Sequence, residues 1–360
     1  MLIGKCEPPG VPPTGWPPSQ IGMKTKGGAG LLGMISLDRS KMVLAKHHGL
    51  GNDFLILIDG DDSFRLSAAD VRILCDRHRG IGADGVIRIT RGRDGVDVVM
   101  ELRNAGGEAA ETSGNGLRCV AQAALHEGLV DAQAESMVVL TGAGSLKVTY
   151  RPAALKGLGE ASVEMGASSV EILSSDEWML LGAPTSDDTL APRSGGDVPQ
   201  NLLAGCGAGI TAACRVRIGN PHVVLFCEDA LAVDIAAVGS RLDRSVAGGT
   251  NVEVVSVGPR TSEIAMVVWE RGVGETLACG TGACAAAAAA RALGVSGDSV
   301  KVSSPGGVLR VELSGDPLAP RAVLSGPVQR VGVVEVDLDS LLLASVDEVG
   351  EEQVEVSAAT

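Results

Sequence analysis

Aromatic side chains are scarce in this sequence of 360 residues, in which three Trp, one Tyr and three Phe make up 2% of the positions. Sites that stack nucleic-acid bases or enclose a quaternary ammonium group need several aromatic rings together. The scarcity argues against both kinds of site. The core must consist of Val, Leu, Ala and Ile, and specificity for any ligand must come from polar side chains and the backbone.

Basic residues are outnumbered as well, with 30 Lys and Arg against 44 Asp and Glu and a formal net charge of −14. A chain with this charge repels phosphate backbones and anionic membranes. No apolar run reaches the ~18 residues of a membrane-spanning helix, and no secretory signal pattern is present near the start. We therefore expect neither nucleic acid nor a membrane as a partner.

Paired cysteines and metal-ligand spacings are also missing. None of the eight cysteines belongs to a CxxC pair, and a chain of this length needs no disulfides for stability. The five histidines lack the spacing to Cys or carboxylate pairs that metal ligands show. We expect a cytoplasmic protein with no metal site.

The two ends of the chain differ in composition from the middle. Residues 1–41 are rich in Pro and Gly, and residues 339–360 are acidic, so neither end can bury enough apolar surface to offset its ordering entropy. We predict a disordered leader over 1–41 and an acidic tail over 339–360. Between them we predict two domains, 42–160 and 161–338, with the last strands able to return to the first domain.

Short β-branched runs between turn residues predict strands, and helical periodicity is confined to a few stretches. The strands are predicted at 54–58, 85–89, 98–102, 137–140, 145–150, 223–226, 252–256, 263–269, 300–302 and 308–313. The helices are predicted at 69–77, 116–126, 231–242 and 282–293. The pattern indicates an α+β fold that is rich in antiparallel sheet.

One sequence element occurs in both halves of the chain. SGNGLRCVAQAA at 113–124 is matched by CGTGACAAAAAA at 279–290, and each has a nucleophile-type residue, then Gly-x-Gly, then an Ala-rich helix. Backbone N–H groups at such a helix N-terminus can bind a carboxylate or phosphate, and the helix dipole favours the thiolate of a Cys placed there. Cys279 is therefore the cysteine that we expect to be reactive.

Other interpretations of these glycines are weaker. The segment at 280–285 matches the GxGxxA fingerprint of dinucleotide-binding folds, but the glycines do not directly follow a strand, and Pro305 stands near the place of the required acidic residue. Ser113 does not belong to a GxSxG elbow. Two acid/base groups facing each other across a bound carboxylate suit proton removal next to that carboxylate, and hence racemisation or epimerisation of an amino acid.

Seven segments together resemble the diaminopimelate epimerase family over about 42–336, nearly all of the predicted folded part. These segments are KHHGLGNDF (46–54), DRHRGIGADG (76–85), RNAGG (103–107), SGNG (113–116), IGNPH (218–222), TNVE (250–253) and ERGVGETLACGTGAC (270–284). The resemblance implies two similar domains, each a curved antiparallel sheet around a central helix, with the active site in the cleft between them. It also implies a homodimer that needs no cofactor.

The resemblance further implies roles for individual residues. Cys279 is expected to act as one catalytic acid/base with Glu270 tuning it, and His222 to assist the second catalytic group. The other residues that the resemblance places at the substrate are Asn52, Asn104, Gly114, Asn115, Asn220, Asn251, Arg271, Gly280 and Thr281. The substrate is expected to be LL-2,6-diaminopimelate and the product its meso form, a precursor of lysine and peptidoglycan.

The sequence departs from the family at one chemically important position. The family has a second catalytic cysteine before Gly-Asn-Gly, where this chain has Ser113. A serine hydroxyl is a far weaker acid than a thiol and needs a partner base, for which His222 is the candidate. Two alternatives therefore stay open, a related racemase, epimerase or dehydratase acting on another amino acid such as hydroxyproline, and a relative that binds an amino acid without turning it over.

Overall fold

The computed structural model describes residues 42–174, 209–338 and 341. The predicted leader at 1–41 lies outside the described residues, as does the predicted tail apart from residue 341. Over the described ranges the chain is mostly β-sheet, with 17 strands and four α-helices. The helices in these ranges fall short of the length and apolar character that a membrane-spanning helix needs.

The strands are numbered in chain order. They are β1 (Met42–Gly49), β2 (Asn52–Ile58), β3 (Gly85–Arg91), β4 (Val98–Asn104), β5 (Ala109–Ala110), β6 (Ser136–Thr141), β7 (Gly144–Pro152), β8 (Leu158–Ala167), β9 (Ser169–Leu173), β10 (Ile210–Ile218), β11 (Asn220–Cys227), β12 (Asn251–Val257), β13 (Glu263–Glu270), β14 (Gly274–Thr276), β15 (Ser299–Ser304), β16 (Gly307–Ser314) and β17 (Arg321–Val336). The helices are α1 (Ala68–Cys75), α2 (Gly114–His126), α3 (Ile235–Ser245) and α4 (Gly280–Ala292).

Most neighbouring strands pair antiparallel. The parallel pairs in the described ranges are β2–β3, β4–β6, β11–β12 and β13–β15. Each of these four pairs joins strands that are connected through a segment containing a helix, as parallel pairing requires a crossover. Strands β9 and β10 also pair, in the antiparallel direction.

Strand β17 joins β1, β8 and β16 within the sheet. Its first part pairs with β16, its last part pairs with β1, and β8 runs along most of its other edge. Pro327 lies between Ser325, the last residue paired with β16, and Gln329, the first paired with β1. A proline has no N–H group to donate to a neighbouring strand. A long strand can therefore contain a proline where its partner strand changes.

Helices α2 and α4 are buried among the strands. Helix α2 packs against β1, β2, β3, β7, β8 and β17, while α4 packs against β9 to β13 and β15 to β17. All of the alanines from 283 to 290 that belong to α4 are fully buried. Small side chains let the strands approach a helix from several sides, and larger ones would overpack such a core.

The predicted helices at 69–77, 116–126 and 282–293 correspond to α1, α2 and α4. The helix predicted at 231–242 begins later, at Ile235, because Asp234 caps it by accepting from the N–H of Ala237 and a 3-10 turn (Ala230–Ala232) precedes it. Strands β1, β5, β8, β9, β10, β14 and β17 were not predicted. Polar residues and glycines alternate with buried residues along β8 and β17, so their apolar runs are too short to stand out.

Candidate functional site

The N-termini of α2 and α4 meet at their first glycines. A Cβ added to Gly280 would lie 2.9 Å from the Cα atom of Gly114, and a Cβ added to Gly114 would lie 3.1 Å from the Cα atom of Gly280. Leu324 of β17 packs against both positions, with its Cδ2 atom 2.8 and 2.9 Å from the two added Cβ atoms. Only glycines allow the two helix starts to approach this closely.

Each helix is capped by the residue that the repeat places before Gly-x-Gly. The Oγ atom of Ser113 accepts from the N–H of Gly116 at 3.0 Å, and the Sγ atom of Cys279 accepts from the N–H of Gly282 at 3.3 Å. Ser113 and Cys279 thus occupy the same structural position on their helices. Both have the extended backbone of an N-cap residue.

The caps leave the two first N–H groups of each helix without a partner. These groups belong to Gly114 and Asn115 in α2 and to Gly280 and Thr281 in α4, and no acceptor is recorded for them among the described residues. The positive ends of both helix dipoles point to the same place. Four unpaired donors and two dipoles together form a site for an anion, and a carboxylate fits it.

A cavity of about 440 Å³ opens at this junction. All the predicted substrate-binding residues line it, and so do the predicted acid/base residues Ser113, Glu270 and Cys279. The substrate-binding residues in question are Asn52, Asn104, Gly114, Asn115, Asn220, Asn251, Glu270, Arg271, Gly280 and Thr281. The structure therefore brings residues from both halves of the chain to one cavity, whereas His222 lies behind its wall.

Several residues that line the cavity were not predicted. Asp84 accepts from the side-chain amide of Asn52 at 2.8 Å, and Thr276 donates to Glu270 at 2.6 Å. Glu111 also lies in the lining. Asp84 and Thr276 belong to two of the segments that resemble the family. Their place in those segments is the signal that could have identified them.

Asparagine side chains connect the cavity wall. The Asn115 amide donates to the Oδ1 atom of Asn52 at 3.1 Å and to the backbone carbonyl of Ala278 at 2.9 Å. The Asn251 side chain accepts from the backbone N–H of Arg271 at 3.0 Å, which fixes where the arginine leaves the strand. The guanidinium of Arg271 donates to the Gly248 carbonyl at 3.3 Å, and no carboxylate of the described residues pairs with it.

Burial and nearby carboxylates keep Cys279 protonated. Burial raises the pKa of the Cys279 thiol well above its usual range, the charges of Glu270 and Glu253 raise it further, and hydrogen bonds from Thr281 and Gly282 oppose them. The helix N-terminus favours the thiolate of Cys279, as expected, through the hydrogen bond from Gly282, but burial and the two carboxylates act against it and raise the pKa overall. Glu270 ends β13, shortly before the cysteine in sequence, whereas Glu253 comes from β12.

Glu270 is the carboxylate closest to the chemistry. Burial raises the pKa of Glu270, and the charge of Glu253 acts in the same direction. Hydrogen bonds from Thr276 and from the Cys279 thiol stabilise the ionised form. Glu270 is therefore placed to accept the proton of Cys279 and to return it.

His222 belongs to a buried array next to this pair. Its Nδ1 atom lies 2.8 Å from Oε1 of Glu253, and its Nε2 atom lies 2.8 Å from Oδ1 of Asn220. Both ring nitrogens have partners, so the ring is not hydrogen-bonded to Ser113. In the described residues the Ser113 hydroxyl has only the N–H of Gly116. Sequence reasoning gave Glu253 no role.

The chain matches a known family over most of the described residues. The family model described as diaminopimelate epimerase matches residues 44–170 and 214–331. The diaminopimelate epimerase of Synechocystis sp. is 37% identical over 80% of this chain and 96% of its own length. That of Synechococcus elongatus is 38% identical over 80% of this chain and 95% of its own.

Solved structures share the fold at low sequence identity. A hydroxyproline epimerase from Agrobacterium vitis, with bound trans-4-hydroxy-L-proline, has a TM-score of 0.60 at 17% identity and covers 83% of this chain and 93% of its own. A phenazine biosynthesis protein of the PhzF family from Bacillus anthracis has a TM-score of 0.59 at 14% identity, covering 82% and 99%. These likenesses concern the fold alone.

Proposed function

This chain belongs to the diaminopimelate epimerase family and is an isomerase, and we propose that it converts LL-2,6-diaminopimelate to the meso form. The reaction is a proton abstraction at one α-carbon followed by protonation on the opposite face. The product serves the synthesis of lysine and peptidoglycan precursors. The single observation that carries the proposal is the meeting of two helix N-termini, with four unpaired N–H groups, between Ser113 and Cys279.

Removal of the α-proton is difficult because the resulting carbanion adds charge to a carboxylate that is already negative. The N–H groups of Gly114, Asn115, Gly280 and Thr281 point to where that charge develops and are fixed before the reaction begins. Preorganised donors of this kind lower the barrier in a site from which water is excluded. We infer that the reacting α-carboxylate binds between the two helices.

Cys279 and Glu270 form the acid/base pair on one face of the substrate. Because burial and two carboxylates hold the pKa of its thiol well above the usual range, Cys279 is ready to give a proton to the carbanion. In the reverse direction Glu270 takes the thiol proton, and the thiolate then takes the α-proton of the meso isomer. His222 and Glu253 support this face by fixing Asn220 and by adding charge next to the pair.

Ser113 is the acid/base group that we propose for the opposite face. Its hydroxyl stands in the place of a thiol, and its hydrogen-bond partner in the described residues is a donor, the N–H of Gly116. A neutral hydroxyl without a partner base takes a proton poorly. We therefore expect the chain to turn over more slowly than a relative with two cysteines, and most of all in the step that Ser113 begins.

The distal amino-carboxylate centre of the substrate, which does not react, is proposed to bind Arg271, Asn104, Asn220 and Asn251. An arginine without a carboxylate partner suits a substrate carboxylate, and amides can serve both a carboxylate and an ammonium group. Asn52 completes the wall next to Asp84. No cofactor is part of the proposal, and the described residues hold no cluster of three His, Cys, Asp or Glu arranged for a metal.

We further propose that the described residues form two similar domains, each a curved antiparallel sheet around a central helix. Two observations support this organisation, the packing of α2 against β1 to β3, β7 and β8 and that of α4 against β9 to β13. The site then lies in the cleft between the domains. A homodimer in the cytoplasm, with a small amino acid as its ligand, completes the proposal.

The direct test is incubation of the purified protein with LL-diaminopimelate in deuterated water. Appearance of the meso isomer with one solvent deuterium at the inverted centre is the expected result, and it should persist after chelators and carbonyl reagents. Exchange or inversion of hydroxyproline or proline without any effect on diaminopimelate would move the assignment to another amino acid. Binding without exchange would make the chain a non-catalytic relative.

A further inference from the structure

A positively charged residue lies beneath the N-terminus of α2, in the interior of the protein. Arg118 has 0% of its surface exposed and is among the largest fully buried side chains of the described residues. Its guanidinium donates to the carbonyl of Gly114 at 3.1 Å, to the Oδ1 atom of Asn115 at 2.8 Å and to the carbonyl of Pro327 at 3.3 Å. All three acceptors are neutral.

A comparison with Arg88, another buried arginine, shows what Arg118 lacks. Arg88 is 5% exposed and donates to Asp59 at 2.8 Å and to Glu101 at 3.0 Å, and it also contacts Asp62. No carboxylate of the described residues pairs with Arg118. Burial lowers the pKa of Arg118 only to about 10, so the group is still charged near neutral pH. An arginine held without a counter-charge is costly, and such sites tend to be functional.

The contacts of Arg118 lead directly to both helix N-termini. The carbonyl of Gly114 that accepts from Arg118 belongs to the same peptide group as the N–H of Asn115, one of the four unpaired donors. A charged donor on that carbonyl polarises the peptide and strengthens its N–H as a donor. Through Asn115, Arg118 also reaches the carbonyl of Ala278, whose peptide group includes the N–H of Cys279.

We propose that Arg118 is a positioning residue of the reaction, whose buried charge is balanced by the reacting carboxylate of the substrate and whose hydrogen bonds hold the two helix N-termini in register. It acts through Asn115 and the Gly114–Asn115 peptide group and does not touch the substrate. The inference rests on the proposed function, since it assigns to Arg118 the stabilisation of charge on a bound α-carboxylate.

The test compares Arg118→Met, which removes the charge but keeps much of the apolar stem, with Arg118→Lys, which keeps the charge but loses the fork. Arg88→Lys is the matched control, because it disturbs a buried arginine outside the site. Exchange of the α-proton with deuterated water and calorimetric binding of diaminopimelate are measured for each folded variant. Melting temperatures report the purely structural effect.

Arg118→Met is expected to lower the exchange rate at saturating substrate by about tenfold or more, because direct loss of one preorganised donor costs about 10²–10³-fold and this charge acts through one. Substrate affinity should fall with it. Arg118→Lys should recover part of both losses, whereas Arg88→Lys should lower the melting temperature with little effect on exchange. If Arg118→Met does not fold, the comparison of Arg118→Lys with Arg88→Lys decides alone, with loss of exchange expected only in the former.

Equal exchange rates and affinities in the Arg118 variants and in the parent would overturn the inference and leave the proposed function standing. Another outcome would refute the proposed function and leave the inference standing. A parent that binds diaminopimelate without turning it over, with binding that weakens in the Arg118 variants but not in Arg88→Lys, would sustain the inference and refute the proposed epimerisation. A parent that neither turns over nor binds diaminopimelate, hydroxyproline or proline would refute both.

Discussion

The close contact of Gly114 and Gly280 makes Gly280→Ala a sharp test of the site. The new methyl carbon would lie 2.9 Å from the Cα atom of Gly114 and 2.9 Å from Cδ2 of Leu324. Carbon atoms pack at about 3.5–4.0 Å, so roughly 0.6 Å or more of overlap must be relieved. The end of the leucine side chain can rotate away. The backbone of Gly114 cannot, because it begins a buried helix.

Relief therefore has to separate the two helix N-termini. Overpacking of this kind costs about 1–3 kcal/mol of stability, which corresponds to a decrease of a few degrees in melting temperature for a chain of this size. The effect on chemistry is larger, because misplacement of reacting groups by about 1 Å can cost roughly 10²-fold in rate. We expect Gly280→Ala to lower kcat by about 10- to 100-fold while most of the protein stays folded.

The assay follows conversion of LL-diaminopimelate and the melting temperature in parallel. Gly297→Ala is the matched control, because nothing lies within 4 Å of its added Cβ and its φ is not in the left-handed region. That control should behave as the parent in both measurements. A Gly280→Ala protein with kcat and melting temperature equal to those of the parent would mean that the helix contact is not what positions the donors.

Three further changes test the chemistry and the fold. Cys279→Ala should abolish turnover and exchange but retain stabilisation by diaminopimelate in a thermal-shift assay, because backbone donors hold the carboxylate; activity equal to the parent would remove Cys279 from the mechanism. Ser113→Cys should raise turnover, more from LL than from meso in exchange measured separately in each direction; a decrease would indicate a pocket adapted to the hydroxyl and another substrate. Burial lowers the pKa of His47 from about 6.5 to about 4. Between these pH values His47 binds a proton in the unfolded chain but not in the folded protein. Stability should fall by on the order of 3 kcal/mol as pH decreases from 6.5 to 4, and His47→Phe should flatten that decrease in urea titrations; an unchanged acid dependence would contradict the assigned shift.

The residues nearest to the two helix starts could be predicted from the sequence because they belong to local patterns. Gly-x-Gly before an Ala-rich stretch predicts a helix start wherever it occurs, and its repetition at 113 and 279 indicates two of them. The contact between the two glycines is not a local property. The contact depends on long strands such as β17. Sequence patterns do not predict β17, because Gly, Pro and polar residues interrupt its apolar runs.

Groups that act from behind the cavity wall were missed for a different reason. An arginine within a helix usually faces solvent. Periodicity does not show that α2 is covered on all sides, so no sequence pattern indicated that Arg118 is buried. The protonation of Cys279 depends on Glu253 and Glu270, which come from neighbouring strands. The sequence analysis included the helix dipole and Glu270 but omitted the charge of Glu253 and the burial of the thiol, which raise the pKa.

The serine at position 113 separates carboxylate binding from proton transfer. Serine is a good N-cap residue, and Ser113 holds the N–H of Gly116 much as Cys279 holds that of Gly282, so exchange of thiol for hydroxyl leaves the anion site of α2 intact. The carboxylate should therefore bind as it would beside a cysteine, whereas proton transfer on that face loses a suitable base. Since a catalyst cannot shift the equilibrium between the LL and meso isomers, the deficit has to appear as slow exchange from one isomer and not as an altered product ratio. A normal exchange rate from both isomers would require a base for Ser113 that becomes its partner only when substrate is bound.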